Sequence, residues 1–181
     1  QIKTFSPNLD GGDRGIFFSG SPANANVIEF ITISTQGNSQ DFSDLSDSSR
    51  VQGAAGASRT RGLYAGGENP SATDKIEFIT ISIQSNAQDF GDMTASRRRM
   101  NGMGCGNQTR GLFSGGWTGS ATSNHIDYVT IAQTGNSVDF GDLSVKRESG
   151  ACCASQTRGI ISNGRSQPAN VAIGSIDYVT I

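Results

Sequence analysis

The one histidine, His125, and the three cysteines, Cys105, Cys152 and Cys153, have the widest chemical range in this 181-residue chain. A single histidine supplies neither a multi-histidine metal site nor a repeated acid–base pair. Three thiols at this spacing build neither a disulfide framework nor a zinc site, and the redox compartment stays open. Cys152 and Cys153 are adjacent, which raises a vicinal disulfide; packing as small apolar residues accounts for them better. The triplets Asp89-Phe90-Gly91 and Asp139-Phe140-Gly141 spell a kinase metal-binding motif, but no His-Arg-Asp loop or glycine-rich nucleotide loop accompanies them. The acid pairs Asp41/Asp44, Asp89/Asp92 and Asp139/Asp142 offer hard oxygen ligands of the kind calcium takes. Without a further acidic cluster they read as turn or strand-end residues. The run from Gly102 to Gly106 departs from the dinucleotide fingerprint in its spacing, and Asn107-Gln108-Thr109 is a formal glycosylation sequon. Arg97-Arg98-Arg99, the one basic cluster, reads as a solvated connection rather than a phosphate site. No catalytic residue, metal or cofactor is expected.

The elements that must position these residues are strands. Gly, Ser, Thr and Asn make up 74 of the 181 residues, a polarity that alone would suggest disorder. Against that, Ile occurs 16 times, mostly in short apolar bursts that can bury surface. Leu occurs only five times and Lys three, which removes the best helix formers and excludes a helical bundle. The net charge of −2 gives no basic field for nucleic acid. No apolar run approaches the roughly 18 residues of a membrane span. The chain starts at Gln1 without a leader, as a processed chain or a piece of a longer one would.

Self-similarity dominates the pattern. The octet opening at Asp13 returns at Thr60, Thr109 and Thr157, each with Arg-Gly at its second and third positions, and the arginines lie 47, 49 and 48 residues apart. An Ile-acid-aromatic-Ile/Val-Thr-Ile element occupies 28–33, 76–81, 126–131 and 176–181, alternating apolar and polar residues. A third element, Asp-Phe-Gly/Ser-Asp-Leu/Met, occupies 41–45, 89–93 and 139–143. A small-residue stretch precedes the Arg-Gly strand at 53–57, 102–106 and 150–154. Four strands per repeat of about 48 residues predict an all-β fold and favour a β-propeller over a solenoid or sandwich. Gly, Ala and Cys suit a first strand at a crowded axis, and the aromatics suit the outer strands. The repeats run approximately 3–49, 50–98, 99–146 and 147–181, the last without its fourth strand, so a segment of a larger ring is expected. The stretch from Thr4 to Leu9 makes the first repeat atypical.

In order, a strand ending in Gly-Gly, an aromatic-bearing strand and an aromatic–Leu element followed by Arg resemble the kelch repeat. Gly66-Gly67, Phe78, Phe90 to Met93 and Arg99 carry the likeness in one repeat, and Phe42, Phe90 and Phe140 stand where kelch repeats usually have Trp. The wording of the repeats is also similar to virion structural and tail-fibre proteins of marine cyanophages. That resemblance implies a non-enzymatic phage structural protein in the virion, as a tail-fibre or capsid-surface appendage for display, assembly or host attachment. Its partners would be other virion proteins or a host-surface glycan or protein, with no nucleic acid and no membrane insertion, as a homo-oligomer or part of a longer chain. The alternative is a secreted or surface-bound bacterial lectin-like propeller. Kelch propellers that act as copper oxidases need several His and Tyr ligands, which one histidine does not provide.

The connections between strands two and three vary, spanning 21–27, 68–75, 117–125 and 165–175, as do those between strands four and one. The connection from strand three to strand four is seven residues every time, and eleven residues separate each repeat's opening Arg (50, 99, 147) from its Arg-Gly. In an antiparallel blade the two variable connections share a face. That face is nominated for binding, with Glu68, Asn69, Trp117, Asn124, His125, Arg165, Gln167 and Asn170 as contacts. Trp117, the only Trp, would present an exposed indole to a sugar or protein surface. Loops simply free of constraint would vary in the same way.

Overall fold

A computed structural model describes residues 13–20, 26–47 and 50–181. The expected all-β class holds: strands and turns account for the described residues, with no helix among them. The first sheet is β1 (Arg14–Phe18), β2 (Val27–Thr32) and β3 (Gln40–Asp44), in that order. The second is a four-stranded meander of β4 (Ala54–Ala57), β5 (Arg61–Ala65), β6 (Thr73–Thr80) and β7 (Gln88–Arg97). The third repeats it with β8 (Gly104–Gly106), β9 (Arg110–Ser114), β10 (His125–Thr130) and β11 (Val138–Asp142). In the fourth, β12 (Ala151–Ala154), β13 (Arg158–Ser162) and β16 (Ile176–Thr180) pair in sequence. A small ladder of β14 (Arg165–Ser166) and β15 (Val171–Ala172) is inserted between the last two. All pairings within the sheets are antiparallel, as short connections require. The atypical stretch from Thr4 to Leu9 lies outside the described residues.

Period-two alternation gives every sheet two apolar faces, and three interfaces bury them. Between the first two sheets, Ile28, Phe30, Phe42 and Leu45 pack against Tyr64, Ile79 and Ala87. Leu63, Ile76, Phe78, Phe90 and Met93 of the second sheet meet Phe113, Val129 and Ile131 of the third. Leu112, Ile126 and Leu143 of the third then meet Ile161, with Cys152, Val179 and Ile181 alongside. Burying each large apolar side chain contributes about 1.5–3 kcal/mol. The core is therefore a series of inter-sheet layers.

The small-residue strands face one another, β4 against β8 and β8 against β12. The approach is close: a Cβ on Gly104 would lie 2.2 Å from the Ala55 carbonyl oxygen. That contact explains why this strand carries Gly and Ala.

The Asp-Phe-Gly/Ser-Asp element is a β-bulge. Ile76 pairs with Gly91 and Glu77 with Asp89, so Phe90 is the extra residue; Phe42 and Phe140 take the same place in their sheets. The bulge turns each ring edge-on to the aromatic of the preceding strand, with centroids at 6.0, 5.9 and 5.8 Å for Phe30–Phe42, Phe78–Phe90 and Tyr128–Phe140. Such a pair contributes about 0.5–1.5 kcal/mol beyond burial.

Candidate functional site

Two of the arginines that recur once per repeat join sheets. Arg14 Nη1 donates to the Ile81 carbonyl of the next sheet at 2.6 Å, and Arg61 Nη1 to that of Ile131 at 2.8 Å. Each guanidinium also covers an aromatic of its own sheet, Arg14 over Phe30 at 4.9 Å and Arg61 over Phe78 at 4.6 Å. Arg110 and Arg158 lie over Tyr128 and Tyr178 in the same way.

A second set of arginines is wholly buried. Arg50 pairs with Glu77 at 3.0 Å, Arg97 with Asp127, and Arg147 with Asp177 at 3.0 Å. Burial lowers the pKa of Arg50 and Arg97, and the facing carboxylates oppose that shift. Each pair links the exit from one sheet to the third strand of the next. These residues correct two sequence expectations. The triple-arginine run is not a solvated connection: Arg97 has no solvent exposure, Arg98 pairs with Glu68, and Arg99 pairs with Glu148 at 3.3 Å. The eleven-residue spacing also singles out Arg99, whereas Arg97 takes the position of Arg50 and Arg147. The positive-φ residues Gln52, Arg99 and Ser149, each two places after the buried arginine, mark that register. Two additional residues in the third repeat shift the spacing without moving the ion pair.

On the nominated face, Glu68, Trp117 and Arg165 each follow a glycine pair or its Asn-Gly equivalent. They bridge to Val51, Arg98 and Glu148 respectively. A polar chain runs across the sheets here. Gln52 Nε2 donates to Glu68 Oε1 at 2.7 Å, Glu68 pairs with Arg98, and Glu148 pairs with both Arg99 and Arg165, the latter at 3.4 Å. Trp117 is half-buried, with the Arg99 guanidinium 5.6 Å from its ring centroid, so the expected exposed indole is replaced by a capped one.

Gln167 docks on the neighbouring loop, its backbone N–H donating to Thr122 Oγ1 at 2.8 Å and its Nε2 to Asn170 Oδ1 at 3.4 Å. Asn69 and Asn170 are exposed, and Asn124 is half-buried, its carbonyl accepting from the Leu143 N–H. His125 is exposed at the start of β10, Nδ1 lying 3.5 Å from Asp142 Oδ1. Of the eight nominated residues, Glu68, Trp117, Arg165 and Gln167 have partners among the connections between sheets. The signal for these partners was in the sequence: the residue after each buried arginine is Val51, Arg98 or Glu148, and the last two carry charges opposite to those of Glu68 and Arg165.

The small-residue strands line two open clefts of about 430 and 700 Å³ that share Ile16, Phe18, Ala55, Gly104 and Cys152. All three cysteines border the smaller one. A hydrogen bond between the Cys105 and Cys152 thiols holds Cys105 below the ordinary thiol value; the same bond, with burial, raises Cys152. The smaller cleft carries two charged groups, Arg14 and Arg59, and among the described residues the larger carries none and neither holds an acid–base pair. Among the described residues no three His, Cys, Asp or Glu side chains gather to hold a metal ion. No helix of the described residues is long and apolar enough to cross a membrane.

No protein-family model matches this chain, and no curated protein matches it in sequence.

Proposed function

We propose that this chain is a kelch-like β-propeller segment with a structural role in a phage virion, in a tail-fibre or capsid-surface appendage, and that it catalyses no reaction. The carrying observation is that Arg14 and Arg61, and the buried arginines Arg50, Arg97 and Arg147, are engaged in joining one sheet to the next. A scaffold needs this; a catalytic centre would hold such groups around a pocket. The propeller reading draws support from the side-by-side antiparallel sheets and the convergence of small-residue strands, and the virion reading from the wording of the repeats. Host attachment would fall to the loop face, where Asn69, His125, Arg165 and Asn170 are the exposed members of the nominated set.

Mass spectrometry of purified particles from the source of the chain is expected to find it at fixed stoichiometry; its absence from particles overturns the virion reading. A glycan array and whole-cell binding with the full chain then separate attachment from scaffolding. Sugar binding by a chain missing from particles would point instead to the bacterial lectin-like reading.

A further inference from the structure

Each sheet has one face turned to the sheet before it and one to the sheet after it, and equivalent positions share a face. The leading face carries Tyr64, Phe113 and Ile161 on the second strands of sheets two to four, at 4%, 0% and 1% exposure. Phe17, the same position in sheet one, is 53% exposed, and Ile33 is 64% exposed where Ile81 and Ile131 are buried. The trailing face carries Ile28, Ile76 and Ile126, all at 0% or 1%. Ile176, their equivalent in sheet four, is 69% exposed, and Tyr178 is 65% exposed where Phe30 and Phe78 are buried. Ile160 is likewise exposed where Leu63 and Leu112 are buried. The two outer faces therefore bear the same apolar side chains that mate at every internal junction. A sheet of the same repeat is what covers such a face three times within the chain.

We propose that the trailing face of sheet four (Ile160, Ile176, Tyr178) docks on the leading face of sheet one (Phe17, Ile33) of a second copy of this chain, repeating the internal junction. The polar chemistry matches as well. Arg158 lies over Tyr178 as Arg14 and Arg61 lie over Phe30 and Phe78, and those two donate to the carbonyls of Ile81 and Ile131 in the following sheet. In the docked pair Arg158 donates to the Ile33 carbonyl of the second copy. The contact is heterologous, so it closes into a ring where the rotation permits. Two copies bring together eight sheets, within the range known for rings of four-stranded sheets. The proposal rests on the internal junctions and is independent of the virion reading.

Sedimentation velocity of the full chain from micromolar to sub-millimolar concentration is the test. The expected species has twice the 18.9 kDa chain mass. Phe17→Asp on one face, or Ile176→Asp with Tyr178→Asp on the other, is expected to weaken association by about 100-fold or more, because each buries an unpaired charge. An equimolar mixture of the two variants recovers a one-to-one pair, since each copy keeps the face the other has lost. A wild-type chain that stays monomeric overturns the proposal. So does association that survives Phe17→Asp, which would mean like faces pair, or a mixture of folded variants that stays monomeric. Hydrogen exchange of the unmodified chain supplies a measurement free of folding defects: concentration must protect β1 and β16 together, and protection of one alone refutes the pairing.

Discussion

Replacing Asp127 by Ala removes the carboxylate that pairs with Arg97. Arg97 has no solvent exposure, and the Asp127 side chain is 1% exposed. After the substitution Arg97 Nη1 keeps its bonds to the Gly115 and His125 carbonyls at 2.8 and 2.9 Å, so most of its hydrogen bonding survives while its charge loses its counterion. Thr94 Oγ1 loses its acceptor, Asp127 Oδ1 at 2.6 Å. An uncompensated buried charge costs about 3–5 kcal/mol, a third or more of the stability of a typical domain. Urea unfolding followed by Trp117 fluorescence and by far-ultraviolet circular dichroism measures the loss, with both probes needed because a repeat chain can unfold in parts. Arg97→Met with Asp127→Leu should recover much of it, since the charge and its counterion leave together. Glu68→Gln serves as the half-buried control: the Glu68 and Arg98 side chains are 19% and 27% exposed, so solvent screens the charge left behind and the expected cost is clearly smaller. A cost below about 1 kcal/mol for Asp127→Ala would mean that water reaches Arg97 and that the buried ion pairs do not hold the sheets together.

Gly91 and Gly141 occupy the same bulge position with φ of +142° and +134°, but a Cβ on Gly91 would lie 2.4 Å from the Gly135 carbonyl, while Gly141 has open space. Gly141→Ala should cost about 1–2 kcal/mol from backbone strain alone and Gly91→Ala clearly more; equal melting temperatures would refute the contact. Arg61→Met should cost about 2 kcal/mol through the lost Ile131 carbonyl bond and the lost cover on Phe78, and Arg158→Met in dilute chain much less. Tyr64 is held above its ordinary pKa of 10.0 by burial, although its contacts with Gly53 and Arg50 oppose that shift. The folded state therefore retains a proton that the unfolded chain loses. This contribution is complete below pH 10.0 and disappears as pH rises through the folded value. Tyr64→Phe should flatten that alkaline decline in stability, and an unchanged slope would exclude Tyr64 as its cause. Cys153, exposed, should react with a thiol reagent before half-buried Cys152 and buried Cys105 under native conditions, and a Cys105 that reacts first would show that the first strands open.

The strands were legible because their signals are local. Alternation at 76–81, the small-residue stretches and the recurring Arg-Gly all report on neighbours along one chain segment. The bulge was not legible, since Asp-Phe-Gly spells several things and only the pairing of Glu77 with Asp89 exposes Phe90 as an extra residue. The ion pairs were hidden by their separation: Arg97 meets Asp127 across 30 residues, and the spacing rule chose Arg99 because it counts residues and cannot see which side chain enters the layer. The loop face was nominated from connection lengths alone. Its polar side chains were nominated for an outside ligand, though several already bind one another.

The difference between constant and variable connections has a physical cause in the same contacts. The seven-residue connection from strand three to strand four lies on the outer strand of the sheet before it. Ala87 N–H donates to the Asp44 carbonyl at 2.9 Å, and Ser137 N–H to that of Asp92 at 2.8 Å. Asn136 Oδ1 accepts from Asp92 N–H at 3.1 Å, as Asn86 Oδ1 does from Asp44 N–H at 3.4 Å. A residue added or removed there would break backbone bonds to a neighbouring sheet, so length is fixed where a connection is part of a junction. The connection after the glycine pair is anchored at its base by the bridges of Glu68, Trp117 and Arg165, and in the longest one again at Gln167, whose N–H donates to Thr122 Oγ1 at 2.8 Å; additional residues elsewhere in it extend into solvent. Its variability is thus what a solvent-facing tip on a fixed base produces with or without a ligand. Substitutions at the exposed Asn69 and Asn170 would test recognition, and at Asn170 the loss of the acceptor for Arg165 and Gln167 has to be read alongside it.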